Sequence, residues 1–267
     1  MESTGSRSPL KDRPLRLPGQ SVQDELEELL LDKLLPYFLF VVFLGLITGM
    51  EWVAVWRHLP RQPWLYTGMT VIAMGVCGWK FLRAKQRIAN LRLGRDGERT
   101  VAEWLDRLRA RGAHVFHDVP AEGFNLDHVL LCRRGIFVIE TKTRSKPVGR
   151  EARVTFTTDS VLVGGQKPDR DPVRQVEAGG RWLQSLLEQS TAKGFPVSGV
   201  VLFPGWFVEP MPRAWKEAGL PWVLTPKALS AFIENEPQRL EESEVAMAAF
   251  HLERYLRSEQ ERRAKSA

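Results

Sequence analysis

Residues 124–143, FNLDHVLLCRRGIFVIETKT, decide the fold. Two apolar runs flank Arg133-Arg134-Gly135, which is the pattern of a β-hairpin. If a two-residue turn pairs Cys132 with Gly135, Asp127 faces Glu140. Facing residues of an antiparallel pair project to the same side, and Lys142, two positions past Glu140, projects there as well. If Gly135 instead closes a three-residue loop with a bulge, the register moves by one and Asp127 turns away. In the first register two carboxylates and an amine converge on one patch.

Such a patch has two readings. Adjacent carboxylates in an apolar hairpin repel each other, and a hard divalent cation such as Mg²⁺ relieves that repulsion with oxygen ligands. The cation can activate water and stabilise the anionic transition state of phosphodiester cleavage, with the lysine positioning or deprotonating the water. The other reading is a salt bridge from Lys142 to Glu140 or Asp127 on a solvated sheet face. His128, next to Asp127, points to the opposite face of a regular strand and is read as packing.

The neighbouring segments extend the hairpin into an α/β domain. Residues 98–111 have a helical period with Val101, Trp104, Leu105 and Leu108 on one face, and Gly112 stops them. Short β-rich segments follow at His114–Val119, Leu126–Cys132, Gly135–Thr143, Arg153–Thr157 and Ser160–Val163. A helix begins at Pro172, an apolar strand spans Val197–Phe203, and Trp222–Leu224 reads as a further short strand. Helices are expected at Pro226–Ile233 and Glu241–Arg262. The expected fold class is α/β, a sheet covered by helices.

The amino-terminal third differs in kind. Residues 1–20 are rich in Ser, Pro, Gly and charge and read as a disordered tail. Ser21 can cap an amphipathic helix bearing Val22, Leu26, Leu29 and Leu30 on one face. Leu34–Met50 is uncharged, as is Pro63–Trp79. Each run reaches about 26 Å as a helix, close to the hydrocarbon thickness of a bilayer once interfacial residues are added. Trp52, Trp56, Trp64, Tyr66 and Trp79 cluster at the ends of these runs, where headgroups would lie. The expectation is a two-span hairpin contacting the lipid bilayer through residues 34–56 and 63–79. Lys80, Arg83, Lys85, Arg87 and Arg92 follow the second span, so both termini are expected in the cytoplasm, the bilayer being a bacterial inner membrane.

Charge is local. Residues 80–150 carry 16 Lys and Arg against 8 Asp and Glu, within a chain of net charge +6. This surplus suits an anionic polymer or anionic headgroups, and charge alone does not choose. Two cysteines, both in apolar runs, exclude a disulfide scaffold and fit a reducing compartment. No His or Cys spacing suggests zinc, and Gly164-Gly165 and Gly179-Gly180 lack the phosphate-loop pattern. Arg144, Lys146, Arg150 and Arg153 follow the hairpin as candidate phosphate contacts.

Asp127 followed by Glu140-Thr141-Lys142 resembles the Asp and Glu-x-Lys core of the PD-(D/E)xK nuclease superfamily. The wider pattern is similar to the nuclease-related domain, NERD: Gly94-Arg95-Asp96-Gly97-Glu98, Asp127-His128-Val129, Gly135-Ile136-Phe137-Val138-Ile139-Glu140-Thr141-Lys142, and Pro172-Val173-Arg174-Gln175. It covers about residues 90–205. The resemblance implies a restriction-endonuclease-like mixed sheet flanked by helices. It implies that Asp127 and Glu140 hold Mg²⁺ or Mn²⁺ with the Thr141 carbonyl, and that Lys142 is the catalytic lysine. Glu98 would be a helix-borne acid and Gln175 an amide at the site. The implied function is a membrane-anchored, cytoplasm-facing nuclease acting on nucleic acid, DNA ahead of RNA. The alternative is a non-catalytic nucleic-acid-binding or membrane-tethered module that keeps the fold. The expected organisation is a tail (1–20), a hairpin with a basic connector (21–92), the nuclease-like domain (93–205) and a helical extension packed on it (206–267).

Overall fold

In the residue 124–143 hairpin the first register is the one observed. A computed structural model describes residues 15–59, 62–146 and 152–266. Strands β2 (Asn125–Cys132) and β3 (Gly135–Thr141) pair antiparallel with Cys132 opposite Gly135 and His128 opposite Ile139. One step further, this register sets Asp127 against Glu140. Arg133 and Arg134 keep negative φ while Gly135 takes φ +142°, so the turn's unusual backbone falls on the residue without a Cβ.

The hairpin is extended on both sides into a five-stranded mixed sheet of order β1-β2-β3-β6-β8. Here β1 is His114–Pro120, β6 is Val197–Leu202 and β8 is Trp222–Leu224. β1 runs antiparallel to β2, whereas β3, β6 and β8 run parallel. Helices cover both faces, because strands buried on both sides carry apolar residues in nearly continuous runs. On one face Phe116, Val129, Leu131, Ile136 and Val138 pack with α4 (Pro172–Thr191) and α7 (Glu242–Ser266). On the other, Leu130, Phe137, Ile139 and Val200 pack with Val101, Leu105 and Leu108 of α3 (Pro63–Arg109) and with α6 (Pro226–Asn235). Asp171 caps α4 by accepting from Val173 N–H at 2.9 Å, with Pro172 at the first turn.

Two features were not expected. A second sheet of order β5-β4-β7 is built from β4 (Arg153–Phe156), β5 (Val161–Val163) and β7 (Phe207–Val208). A short helix α5 (Arg213–Glu217) follows it. The segment beyond residue 205, read as a helical extension, thus also supplies β7 and, as expected at Trp222–Leu224, the main-sheet strand β8. β3 ends at Thr141 rather than Thr143.

The described chain divides into two units. Residues up to 18, 97–142 and those from 146 onward form the sheet unit, while residues 19–96 with 143–145 form the other. The expected tail over residues 1–14 lies outside the described residues. Leu15 packs against the core of the sheet unit, and Arg16 pairs with buried Asp118 at 2.7 Å. Asp118 has φ +50° and also accepts from the Asn125 amide at 3.1 Å.

The helical unit contains α1 (Gln20–Glu27), a π-helical segment (Glu28–Leu34), α2 (Leu35–Trp56) and the first part of α3. Gly19, not Ser21, occupies the N-cap of α1, so the helix starts two residues earlier than expected. The π-helical turn precedes Pro36, which has no N–H to give and whose ring crowds the carbonyl four residues back; a widened turn accommodates both. The second apolar run, the basic connector and the residue 98–111 helix are one continuous 47-residue helix, because Gly94 and Gly97 lower helix propensity without breaking the hydrogen-bond ladder.

Named contacts set the pairing of α1 and α2 with α3. Thr48 and Thr70 hydroxyls meet at 2.8 Å, and Trp52 Nε1 donates to Thr67 at 3.0 Å. Glu25 pairs with Arg87 at 2.6 Å, and Gln23 accepts from Arg95 at 2.8 Å. Both apolar stretches are long and apolar enough to cross a membrane, and only 6% of each is buried, unlike a core helix.

Candidate active site

The strand alternation that buries Val129 and Val138 against α4 turns Asp127 and Glu140, two positions from each, toward the same face. Thr141 N–H donates to Asp127 Oδ2 at 2.7 Å. Lys142 Nζ meets Glu140 Oε1 at 2.7 Å, while its backbone N–H donates to Leu202 O at 2.8 Å. The lysine is thus held at its backbone by β6 and at its tip by Glu140. All of this lies at the carboxyl end of the parallel strands β3 and β6, the end at which open α/β sheets place their ligands.

Asp127 reports the electrostatics. Burial pushes its carboxyl well above the usual carboxylate range, and the negative charges of Glu140 and Glu98 push the same way. The Thr141 N–H and Lys142 oppose the shift without cancelling it. Glu98, 8% exposed, sits in α3 one turn before Val101 and so on the buried side of that helix. Its influence on Asp127 brings it into the electrostatic field of the pair.

Gln175 stands in the first turn of α4 between Val173 and Val176, both packed on the face that carries the two acids. Its Oε1 is buried with no hydrogen-bond partner among the described residues, and so is the Thr141 hydroxyl. Gly179 permits α4 to come this close: a Cβ there would stand 2.5 Å from Leu126 Cδ2.

These donors suit a hard cation. Among the described residues no group of three or more His, Cys, Asp or Glu side chains could hold a metal ion by itself. The set is two carboxylates supplemented by neutral oxygens, and Glu98 acts as a charge nearby rather than a third ligand. Two carboxylates, with the Gln175 amide oxygen left unpartnered, make an oxygen-rich donor set of the kind a hard divalent ion favours.

The region 93–204 matches the model of one known family, described as nuclease-related domain. Residues 93–204 are a NERD domain. No curated protein and no solved structure matches the chain.

Within the NERD domain the structure brings Asp127, Glu140, Thr141 and Lys142 together and sets Glu98 near them. Arg150 lies outside the described residues, and Arg153 is held by Glu209 at 3.0 Å. Just past the matched region, Phe207 was not anticipated. It is exposed on β7 with the Arg153 guanidinium 5.0 Å from its ring centre. Nothing in a lone Phe-Val after Pro-Gly-Trp signals a strand, so only the pairing with β4 reveals its setting.

His128 is fully buried on the opposite face, as expected. Its Nδ1 lies 2.8 Å from Nδ1 of His117. Burial and the nearby Arg109 guanidinium lower His117 to about 4. A separate cleft of about 740 Å³ opens among α4, β6 and α5, lined by Arg181, Ser198, Lys216 and Trp222. None of the six candidate site residues lines it.

Proposed function

We propose that this chain is a metal-dependent nuclease, tethered to a membrane by its amino-terminal hairpin with the NERD domain on the cytoplasmic side, and that DNA is its preferred substrate over RNA. The observation that carries this reading is the convergence of Asp127, Glu140 and Lys142 on one sheet face, with a carboxyl pushed toward neutrality by burial and by its acidic neighbours. The family assignment of residues 93–204 supports the same chemistry.

Asp127, Glu140 and the Thr141 carbonyl would hold the ion. When bound, Mg²⁺ or Mn²⁺ supplies an acidified water and neutralises charge on the scissile phosphate. The remaining work belongs to the chain. Lys142, steadied by Glu140, stands where it can donate to a phosphate oxygen and orient the attacking water. Gln175 offers an unpartnered amide oxygen to that water. Glu98 raises the negative field at Asp127 and so strengthens cation capture. Phe207 offers a ring for a base and Lys146 a cation for the backbone. Support for the membrane tether comes from two long helices whose apolar side chains, Phe40, Phe43, Leu46, Val71 and Ile72 among them, are exposed.

The test is cleavage of linear, circular and single-stranded DNA and of RNA by the detergent-purified full chain, with Mg²⁺, Mn²⁺ or EDTA, beside Glu140→Gln and Lys142→Ala. Metal-dependent cutting lost in both variants supports the reading. Cutting that survives both variants overturns the site assignment. Metal-independent binding without cutting by the wild type favours a non-catalytic binding module.

A further inference from the structure

The helical unit contains a cleft of about 380 Å³ between the π-helical segment and α3, lined by Leu29, Lys33, Leu34, Lys80, Arg83 and Arg87, with Trp79 and Ala84. Its chemistry is divided. Leu29 and Leu34 are buried and form an apolar floor. Four cations surround them. Lys33 reaches Glu28 at 2.8 Å and Arg87 reaches Glu25 at 2.6 Å. Lys80 lies 4.1 Å from the centre of the Tyr37 ring, and Arg83 lies 4.0 Å from the centre of the Trp79 ring. Among the described residues neither Lys80 nor Arg83 has a carboxylate partner. A cation over a ring face keeps N–H donors directed away from it.

We propose that this cleft binds the phosphate of an anionic phospholipid, with Lys80 and Arg83 as its principal donors and Lys33 and Arg87 as flanking charges. The proposal rests on the reading of residues 34–56 and 63–79 as membrane spans, because Trp79 then marks the headgroup level and the four cations stand just beyond it. Two observations favour a lipid over free phosphate. The floor is apolar, which an acyl or glycerol segment covers and an inorganic ion does not. Phe38 and Phe81, each next in sequence to a member of the Tyr37–Lys80 contact, leave their side chains exposed. The π-helical turn contributes directly, since Leu29, Lys33 and Leu34 all belong to it. The widened turn therefore shapes one wall of the cleft, in line with the frequent placement of such turns at binding sites.

The experiment is native mass spectrometry of the full chain in detergent with added short-chain phosphatidylglycerol, phosphatidylcholine or inorganic phosphate, beside Lys80→Gln/Arg83→Gln and the charge-keeping Arg83→Lys. The expected result is saturable binding of one phosphatidylglycerol, at least about tenfold stronger than phosphatidylcholine. It should weaken about tenfold or more in the double variant and be retained in Arg83→Lys. Equal binding of the two lipids, or full retention in the double variant, overturns the proposal. Displacement of phosphatidylglycerol by millimolar inorganic phosphate overturns the lipid assignment. Resistance of the protein to alkaline extraction from membranes is scored separately, so failure of the spans and failure of the site give different results. Unchanged helix content and elution volume establish that the double variant is folded.

Discussion

The backbone N–H of Thr141 donates to Oδ2 of Asp127 across the β2–β3 pair, at 2.7 Å. One carboxylate oxygen is thereby fixed by the neighbouring strand, and the rest of the group is left to chemistry. Asp127→Asn keeps an acceptor for that N–H and removes a charge that burial, Glu140 and Glu98 all disfavour. Asp127→Ala strands the N–H at a cost of about 1–3 kcal/mol. Both variants should lose metal-dependent cleavage. In thermal melts without metal, the Asn variant should unfold at or above the wild-type temperature and the Ala variant below it.

The acid crowding at Asp127 predicts a coupling between protons and metal. Its carboxyl titrates above its unfolded value, so its contribution to stability is complete below that unfolded value and is lost as pH rises through the folded one. A divalent cation needs the ionised form and should release a proton on binding. Calorimetric titration with Mg²⁺ in two buffers of different ionisation enthalpy should show this proton. Stabilisation by Mg²⁺ should grow from acid toward neutral pH. The same heat in both buffers would argue against ligation by Asp127.

Gln175 should show opposed effects on stability and activity. Its Oε1 is buried without a partner, so Gln175→Leu removes an unsatisfied acceptor at nearly constant volume. The metal-free variant should melt no lower than wild type, and higher if the relief of about 1–3 kcal/mol is realised in full. Cleavage should fall about tenfold or more, through kcat rather than KM, because the amide is assigned to the attacking water. A rise in KM alone would move Gln175 from the water to the substrate.

How much of this was legible in the sequence depends on the range of the interaction. Arg133-Arg134-Gly135 and the two apolar runs beside it narrowed the hairpin to two registers, one of which sets Asp127 against Glu140, because hairpin register is set by neighbours. Of the three segments that proved to be a single helix, the second and third were separated by Gly94 and Gly97, which read locally as breaks and are merely weak links within a long ladder. β7 is two residues long and owes its existence to Arg153 and Val154 across the chain. The Arg16–Asp118 pair joins positions too distant for any spacing rule. The buried carboxyl of Asp127 was expected to meet Glu140; the charge of Glu98 on it emerges only once α3 is packed.

His117 and His128 predict an acid-sensitive sheet unit. His117 titrates at about 4 in the fold, below its unfolded value, so its stabilising contribution is present above about pH 6.5 and is lost as pH falls through 4. Between pH 7 and pH 5 the loss amounts to about 2 kcal/mol. The melting temperature should drop over this interval, and the drop should be smaller in His117→Gln. An equal drop in that variant would assign the acid sensitivity elsewhere.

Leu15 and Arg16 belong to the sheet unit, residues 19–96 to the helical unit, and the chain then returns at Gly97. The hairpin is therefore spliced into the folded unit rather than placed ahead of it. A protease that nicks the chain once within residues 19–96 leaves both new ends attached, one through the backbone of the NERD domain and the other through the Arg16–Asp118 ion pair. Shedding an intact sheet unit from its helices takes two cuts, and a fragment trimmed to begin after the hairpin leaves Asp118 buried without its arginine. A soluble form that keeps this strand of the fold satisfied must carry residues 15–18 joined by a linker to residue 97.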